Sequence, residues 1–163
     1  MTATRTKTTA AITAGALAIA TTMAANWEGL RTRSYQDVVG VWTICYGETK
    51  GVVPGQSASP ADCKSQLSAR LAQFGAEIAP CLPLGLPDKM QAAFIDVAYN
   101  IGSAAFCKSS MSRKARAGDL RGACDALLAW NKGRIAGVLQ PIKGLTNRRN
   151  AERQACLEGL AGR

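Results

Sequence analysis

Residues 28–47 read Glu28-Gly-Leu-Arg-Thr-Arg-Ser-Tyr35-Gln-Asp37-Val-Val-Gly40-Val-Trp42-Thr43-Ile-Cys45-Tyr-Gly47. The stretch carries one carboxylic acid, Glu28, a second at Asp37 and a hydroxyl at Thr43. From Tyr35 to Tyr46 it is rich in Val, Trp, Ile and Thr, with Gly40 and Gly47 as punctuation, which is the chemistry of strands and a hairpin. Alternation assigns Val41, Thr43 and Cys45 to one face and Trp42, Ile44 and Tyr46 to the other. Cleaving a glycosidic bond takes a proton donor at the leaving oxygen and a nucleophile at the anomeric carbon. Glu28 follows an apolar run and sits beside Trp27, where desolvation favours a protonated carboxyl, so it is the candidate general acid. Asp37 lies in a polar stretch, stays ionised and is the candidate for activating or positioning water. The Thr43 hydroxyl is placed to hold that water from a strand.

Each residue also has a plainer reading. A Glu near a helix end is a partner of the helix dipole, an Asp before Val-Val-Gly is a turn former, and a Thr in a strand reflects β-propensity. It is the surrounding pattern, Glu-Gly-Leu-Arg through Ser-Tyr-x-Asp, Gly-x-Trp-Thr-Ile and Tyr-Gly, that sets these readings aside. It resembles the phage-type lysozymes of the T4 lysozyme kind, and most of all their signal-arrest-release (SAR) endolysin branch, from about residue 26 to the C-terminus. The resemblance implies an α+β, mostly helical fold in two lobes with a cleft between them. It implies the acid, water-positioning and water-holding roles at Glu28, Asp37 and Thr43, with inversion at the anomeric centre. The implied substrate is the MurNAc–GlcNAc β-1,4 bond of peptidoglycan. Asn100-Ile101-Gly102 resembles the helix end at which such lysozymes hold the polymer backbone, so Asn100 and Gly102 are candidate sugar contacts. Tyr35 and Trp42 are candidates for stacking on sugar rings, with core packing as the alternative. Arg148 and Arg149 match the Arg pair of the family's C-terminal motif, and ion pairing with Glu152 is the expected role. One departure is at Glu48, near whose position the resembling family usually has His.

Helical punctuation fills most of the remainder. Ser59 can cap and Pro60 suits a first helical position, with Asp62 favoured by the dipole. Leu67, Leu71, Phe74 and Ile78 then stripe a helix over 61–79. Met90, Ala93, Phe94, Val97 and Ile101 stripe a second helix, ended by Gly102. Shorter helices are expected near 104–117, 120–131 and 146–158, with Asp119 and Thr146 as caps and Gly118 and Gly159 as stops. The domain division is an N-terminal anchor segment over 1–27 and a catalytic domain over 28–163, whose strand lobe spans about 28–60 and whose helical lobe spans about 61–163.

Composition narrows the chemistry. A chain of 163 residues is one domain with room for a core. The net charge of +9 draws it toward polyanions such as nucleic acid, anionic lipid or a bacterial wall. With no RNA-binding aromatic box or zinc-finger spacing, no nucleic-acid partner is expected. Histidine is absent altogether, which closes the zinc-amidase, Cys-His and Ser-His routes to wall cleavage. No metal or cofactor is expected. The six cysteines, Cys45, Cys63, Cys81, Cys107, Cys124 and Cys156, show no C-x2-C spacing. An even, scattered count suggests three disulfides and an oxidising compartment, with buried free thiols as the alternative. Six cysteines allow fifteen pairings. The hairpin lies near the start of the next helix, and the resembling fold packs its last helix on the one near 120–131. On that footing the expected pairs are Cys45–Cys63, Cys81–Cys107 and Cys124–Cys156.

Arg5 and Lys7 precede an uncharged run from Thr8 to Trp27, long enough to span a bilayer as a helix. Ala, Gly and Thr make its hydrophobicity marginal. It reads as a weak, uncleaved anchor that later leaves the bilayer. Cleavage after Thr22-Met23-Ala24 would leave almost nothing ahead of Glu28; a buried Ala-rich helix is the third reading. The SAR resemblance implies the inner membrane facing the periplasm, then a soluble periplasmic monomer after release. Two rival functions stand beside the lysozyme. A non-enzymatic cationic membrane-disrupting protein would share the charge and the Ala-rich segment. A lytic transglycosylase would need the acid but not the Asp37–Thr43 pair.

Overall fold

The computed structural model describes residues 11–162, so the basic positions Arg5 and Lys7 and the start of the uncharged run lie outside the described residues. Thr13 opens helix α1 (Ala14–Glu28): its Oγ1 accepts from Ala16 N at 2.9 Å. The same hydroxyl donates to Asp88 Oδ1 at 2.7 Å, and Thr13 N donates to Gln91 Oε1 at 3.1 Å. The start of α1 is thereby tied to a helix that begins 75 residues later. Ala16, Ala20 and Ala24, spaced four apart, are fully buried along one side of α1, where their small side chains let it lie close against α2 and α3. No described helix is long and apolar enough to cross a membrane. Gly29, with φ +71°, ends α1 immediately after Glu28.

Strands β1 (Arg31–Gln36) and β2 (Trp42–Cys45) form an antiparallel hairpin that pairs Tyr35 with Thr43 and Gln36 with Trp42. The expected alternation of faces does not carry through β2: Thr43, Ile44 and Cys45 are all buried. Cys45 has left-handed backbone, φ +60°, which takes the last strand residue out of the pleat. The Cys45–Cys63 disulfide joins that point to α2.

Helix α2 (Pro60–Ile78) starts as expected, with Ser59 accepting from Asp62 N and Pro60 in the first turn. Helix α3 (Asp88–Ile101) is the centre of the molecule. Met90 and every residue from Ala92 to Ala98 are fully buried, and α3 packs on α1, α2 and the C-terminal helix. Each large apolar side chain buried there, such as Phe94 or Ile95, stabilises the fold by roughly 1.5–3 kcal/mol. The helix expected over 104–117 is two, α4 (Ser103–Lys108) and α5 (Ser110–Arg116). Ser109 separates them by taking extended backbone and capping Ser112 N. Asp119 caps α6 (Leu120–Asp125) by accepting from Gly122 N, and a 3-10 turn, Ala126–Trp130, follows.

Two features depart from the pattern reading. A second hairpin, β3 (Lys132–Ile135) with β4 (Val138–Pro141), interrupts the helical half. Ala136 and Gly137 both take positive φ at its tight turn, so an Ala occupies a position where Asn or Gly is the usual signal. Helix α7 (Lys143–Ala161) begins three residues ahead of Thr146. Thr146 is therefore not the cap; its Oγ1 donates to Ile142 O and accepts from Asn131 Nδ2. Nor does Gly159 stop the helix. A Cβ there would lie 3.1 Å from Met90 N, so glycine lets α7 approach the start of α3. The other two disulfides, Cys81–Cys107 and Cys124–Cys156, also follow the expected pairing, and no cysteine is free among the described residues.

Candidate active site

Glu28 is the last residue of α1, so the buried alanine stripe fixes where its carboxyl is presented. The apolar surroundings expected for it are not what it meets. Trp27 is exposed, and Glu28 Oε1 accepts from Arg148 Nη1 at 2.7 Å, with its side chain 26 % exposed. Arg148 was expected to serve Glu152. That contact exists, but at 3.5 Å it is the longest of the ion pairs Arg148 makes. The shorter ones go to Glu28 and to Asp96, which accepts on both oxygens: Arg148 Nη2 to Oδ1 at 2.8 Å and Nε to Oδ2 at 3.2 Å. Burial works against the Arg148 charge, and the hydrogen bonds and charge of Asp96, then of Glu28, outweigh it and raise its pKa. Arg149 keeps the expected partner, donating from Nη2 to Glu152 Oε1 at 2.7 Å. Asp96 escaped the sequence reading because it sits among the apolar residues of α3. A charged residue inside a run that is otherwise buried was the available signal.

Asp37 closes the turn between β1 and β2. Its Oδ1 accepts from Val39 N at 3.0 Å and Val41 N at 2.9 Å. Turn former and catalytic candidate are thus compatible, because Oδ2 has no hydrogen-bond partner among the described residues. Thr43 Oγ1 donates to Val41 O at 3.0 Å. Its proton is spent on the backbone, so toward water this hydroxyl is an acceptor. Glu28, Asp37 and Thr43 are thus carried by the end of α1, the β1–β2 turn and β2, three segments joined through one short hairpin.

The other candidates sit on β1 and at the end of α3. Tyr35 pairs with Thr43 across the hairpin, and one face of its ring carries the Arg31 guanidinium at 4.6 Å. Asn100 is exposed near the end of α3 and does not cap it. Gly102 does, with φ +94° and its N–H donating to Ala98 O at 2.7 Å. Glu48 Oε1 accepts from Thr49 N and Lys50 N, a local turn in place of the family's imidazole. A cavity of about 60 Å³ opens between the strand lobe and the helices, walled by Tyr46, Glu48, Gln66, Arg70 and Tyr99 among others. Burial first, and the Glu28 charge next, raise the Tyr99 phenol. Glu28 thus acts on a wall of the cavity without lining it. No group of His, Cys, Asp or Glu that could hold a metal occurs among the described residues.

A mostly helical α+β fold with a small strand lobe is the architecture of a lysozyme-type glycoside hydrolase. The chain belongs to the phage lysozyme family, whose sequence profile matches residues 25–152. It is 40 % identical over 157 residues to a SAR-endolysin of Bacteriophage PS119, covering 92 % of each chain. Its fold is similar to the endolysin from Escherichia coli O157:H7 phage FAHEc1, with a TM-score of 0.78 at 26 % identity, covering 91 % of this chain and 94 % of that one. It is also similar to the active form of the P1 phage endolysin Lyz, with a TM-score of 0.70 at 25 % identity over 93 % of this chain and 96 % of that one.

Proposed function

We propose that the chain is an endolysin muramidase that hydrolyses the MurNAc–GlcNAc β-1,4 bond of peptidoglycan to lyse the host cell, with Glu28 as general acid and Asp37 and Thr43 holding the attacking water. The observation that carries the roles is the complementary state of the two water ligands. Asp37 Oδ2 takes no hydrogen bond from the described residues and Thr43 Oγ1 commits its proton to Val41 O, so each has acceptor capacity for a water. A water that donates one hydrogen to each keeps a lone pair for the anomeric carbon, and Asp37 takes a proton as the new C–O bond forms. Glu28 protonates the departing glycosidic oxygen. Asn100, Gly102 and Tyr35 are the proposed sugar contacts, with the +9 charge favouring approach to the anionic wall.

The remaining parts of the reading concern place. Residues 1–27 act as a weak membrane anchor and 28–163 as the catalytic domain. The protein is first held in the inner membrane facing the periplasm, then released as a soluble periplasmic monomer with α1 docked on its body. The identity to SAR-endolysins supports this, as does the buried alanine stripe, which gives the released segment a partner. The test compares wild type and Glu28→Gln on purified murein, with the products' anomeric configuration read by NMR. The Gln variant should be at least about 100-fold slower while remaining folded, and the wild type should give inverted product. Clearance by the variant within tenfold of wild type would favour a membrane-disrupting role. Anhydro ends without new reducing ends would favour a transglycosylase.

A further inference from the structure

The hold on Glu28 does not begin at Arg148. Asp96, fully buried on α3, takes both Nε and Nη2 of Arg148 side-on, and the remaining Nη1 reaches Glu28. One turn further along α7 from Arg148 lies Glu152, also fully buried. Its Oε1 accepts from Arg149 at 2.7 Å and stands 3.5 Å from Arg148 Nε, whereas its Oε2 finds no partner among the described residues. The Glu152 and Asp96 carboxyls meet at one nitrogen, Arg148 Nε, with Asp96 Oδ2 at 3.2 Å and Glu152 Oε1 at 3.5 Å. Two carboxyl groups in such contact do not both ionise, and a proton on Glu152 gives its orphaned oxygen a role as donor. Burial first, then the Asp96 contact, hold the Glu152 carboxyl up to about 10.

We propose that Asp96 is a positioning residue for the acid: it locks and partly neutralises Arg148, so that Arg148 orients Glu28 while presenting less than a full positive charge to it, and a protonated Glu152 donates to Asp96. This rests on the reading of Glu28 as general acid. Arg148 of α7 faces Glu28, whose charge also raises the Tyr99 phenol of α3, a group on which Arg70 of α2 and Glu48 after β2 act as well. The groups facing Asp96 and Glu152 are Arg148 and Arg149.

A purely structural Asp96 would change rate or stability and leave the pH profile in place, so the profile of kcat/KM on soluble murein fragments decides. Activity requires protonated Glu28, and the alkaline limb reports its loss of that proton. Asp96→Asn keeps the shape and removes the charge. Arg148 then favours ionised Glu28 more strongly, and the alkaline limb should move down by about one pH unit. Glu152→Gln keeps a neutral donor and should leave the limb where it is in wild type, whatever its effect on kcat. An unmoved limb in Asp96→Asn, or a limb lowered in Glu152→Gln, overturns the inference. Carbon-13 carboxyl shifts of the wild-type protein decide the donor role without any substitution. Glu152 should remain protonated from about pH 5 to about pH 8, and a titration completed below that range overturns it. Glu28→Gln run alongside separates the two failures: if it remains active, the acid assignment itself is wrong, and if it is dead while the Asp96→Asn limb is unmoved, only the positioning role is lost.

Discussion

Arg148 Nη1 stands 2.7 Å from Glu28 Oε1, across 120 residues of sequence. The end of the first described helix and the first turns of the last are thus joined at the proposed acid. The carboxyl is presented by α1, but its direction is set from α7.

Replacing Arg148 tests how much of that direction the fork supplies. A lysine carries the charge but cannot hold Asp96 side-on and reach Glu28 at once. Arg148→Lys should fold with a stability loss of about 1–3 kcal/mol, the range for a buried network left partly unmet. Its murein-clearing rate should fall at least about tenfold. Urea unfolding and turbidity measure the two effects; a variant with wild-type rate would show that Glu28 needs no fixed partner.

Thr43 separates hydroxyl from shape. Thr43→Val is nearly isosteric but leaves nothing for a water to donate to, and buries no new polar atom. It should lose roughly 10- to 100-fold in kcat, whereas Thr43→Ser stays within about threefold of wild type. Equal rates for Val and Ser would mean that Thr43 serves the strand alone.

Glu152 makes a prediction about stability and pH. Its folded-state pKa is raised above the unfolded value, to about 10, so the folded protein binds the proton more tightly. The associated stability is fully present below about pH 4 and is lost as pH rises toward the folded value. The wild-type melting temperature should therefore fall with pH across the neutral and mildly alkaline range. In Glu152→Gln that fall should flatten. Calorimetry from pH 5 to pH 9 checks it, and parallel slopes would remove Glu152 as the cause.

Helix α1 can be strengthened for a bilayer without touching its docked face. Ala18 and Thr22 are exposed on it, whereas Ala20 is fully buried. Ala18→Leu with Thr22→Leu favours insertion by roughly a kcal/mol per site. This pair should remain with the membrane and delay lysis on depolarisation, while the purified soluble form keeps its murein activity. Ala20→Leu should do the reverse: it overfills the contact with α3, costing about 1–3 kcal/mol, and weakens activity even in detergent-free solution. Fractionation and turbidity distinguish them; equal behaviour of the two variants would contradict separate roles for the two sides of the helix.

Helix starts and stops written in local chemistry were legible, because Ser59 and Asp119 accept from backbone N–H groups three residues on, and Gly102 and Gly118 take positive φ. Thr146 misled because its hydroxyl has a second partner, Asn131, that only the folded chain supplies. The β3–β4 hairpin was invisible for a similar reason: Ala136 takes a positive φ that its side chain does not advertise. At the site, the pattern from Glu28 to Gly47 nominated the residues but not their surroundings. Glu28 looked apolar in sequence because Trp27 and the alanine run precede it, while its partner lay 120 positions away. Asp37 shows the opposite case, since the turn expected of such a residue is present and leaves one oxygen unengaged.

All three disulfides fall after α1, from Cys45 onward. The covalent frame thus ties the end of β2 to α2, the turn after α2 to α4, and α6 to α7, and leaves the helix that carries Glu28 outside it. An oxidising compartment can finish cross-linking that frame without regard to where α1 rests. On the proposed reading, oxidation and arming are therefore separable events: the first cross-links the body, and the second depends on a helix that no disulfide ties.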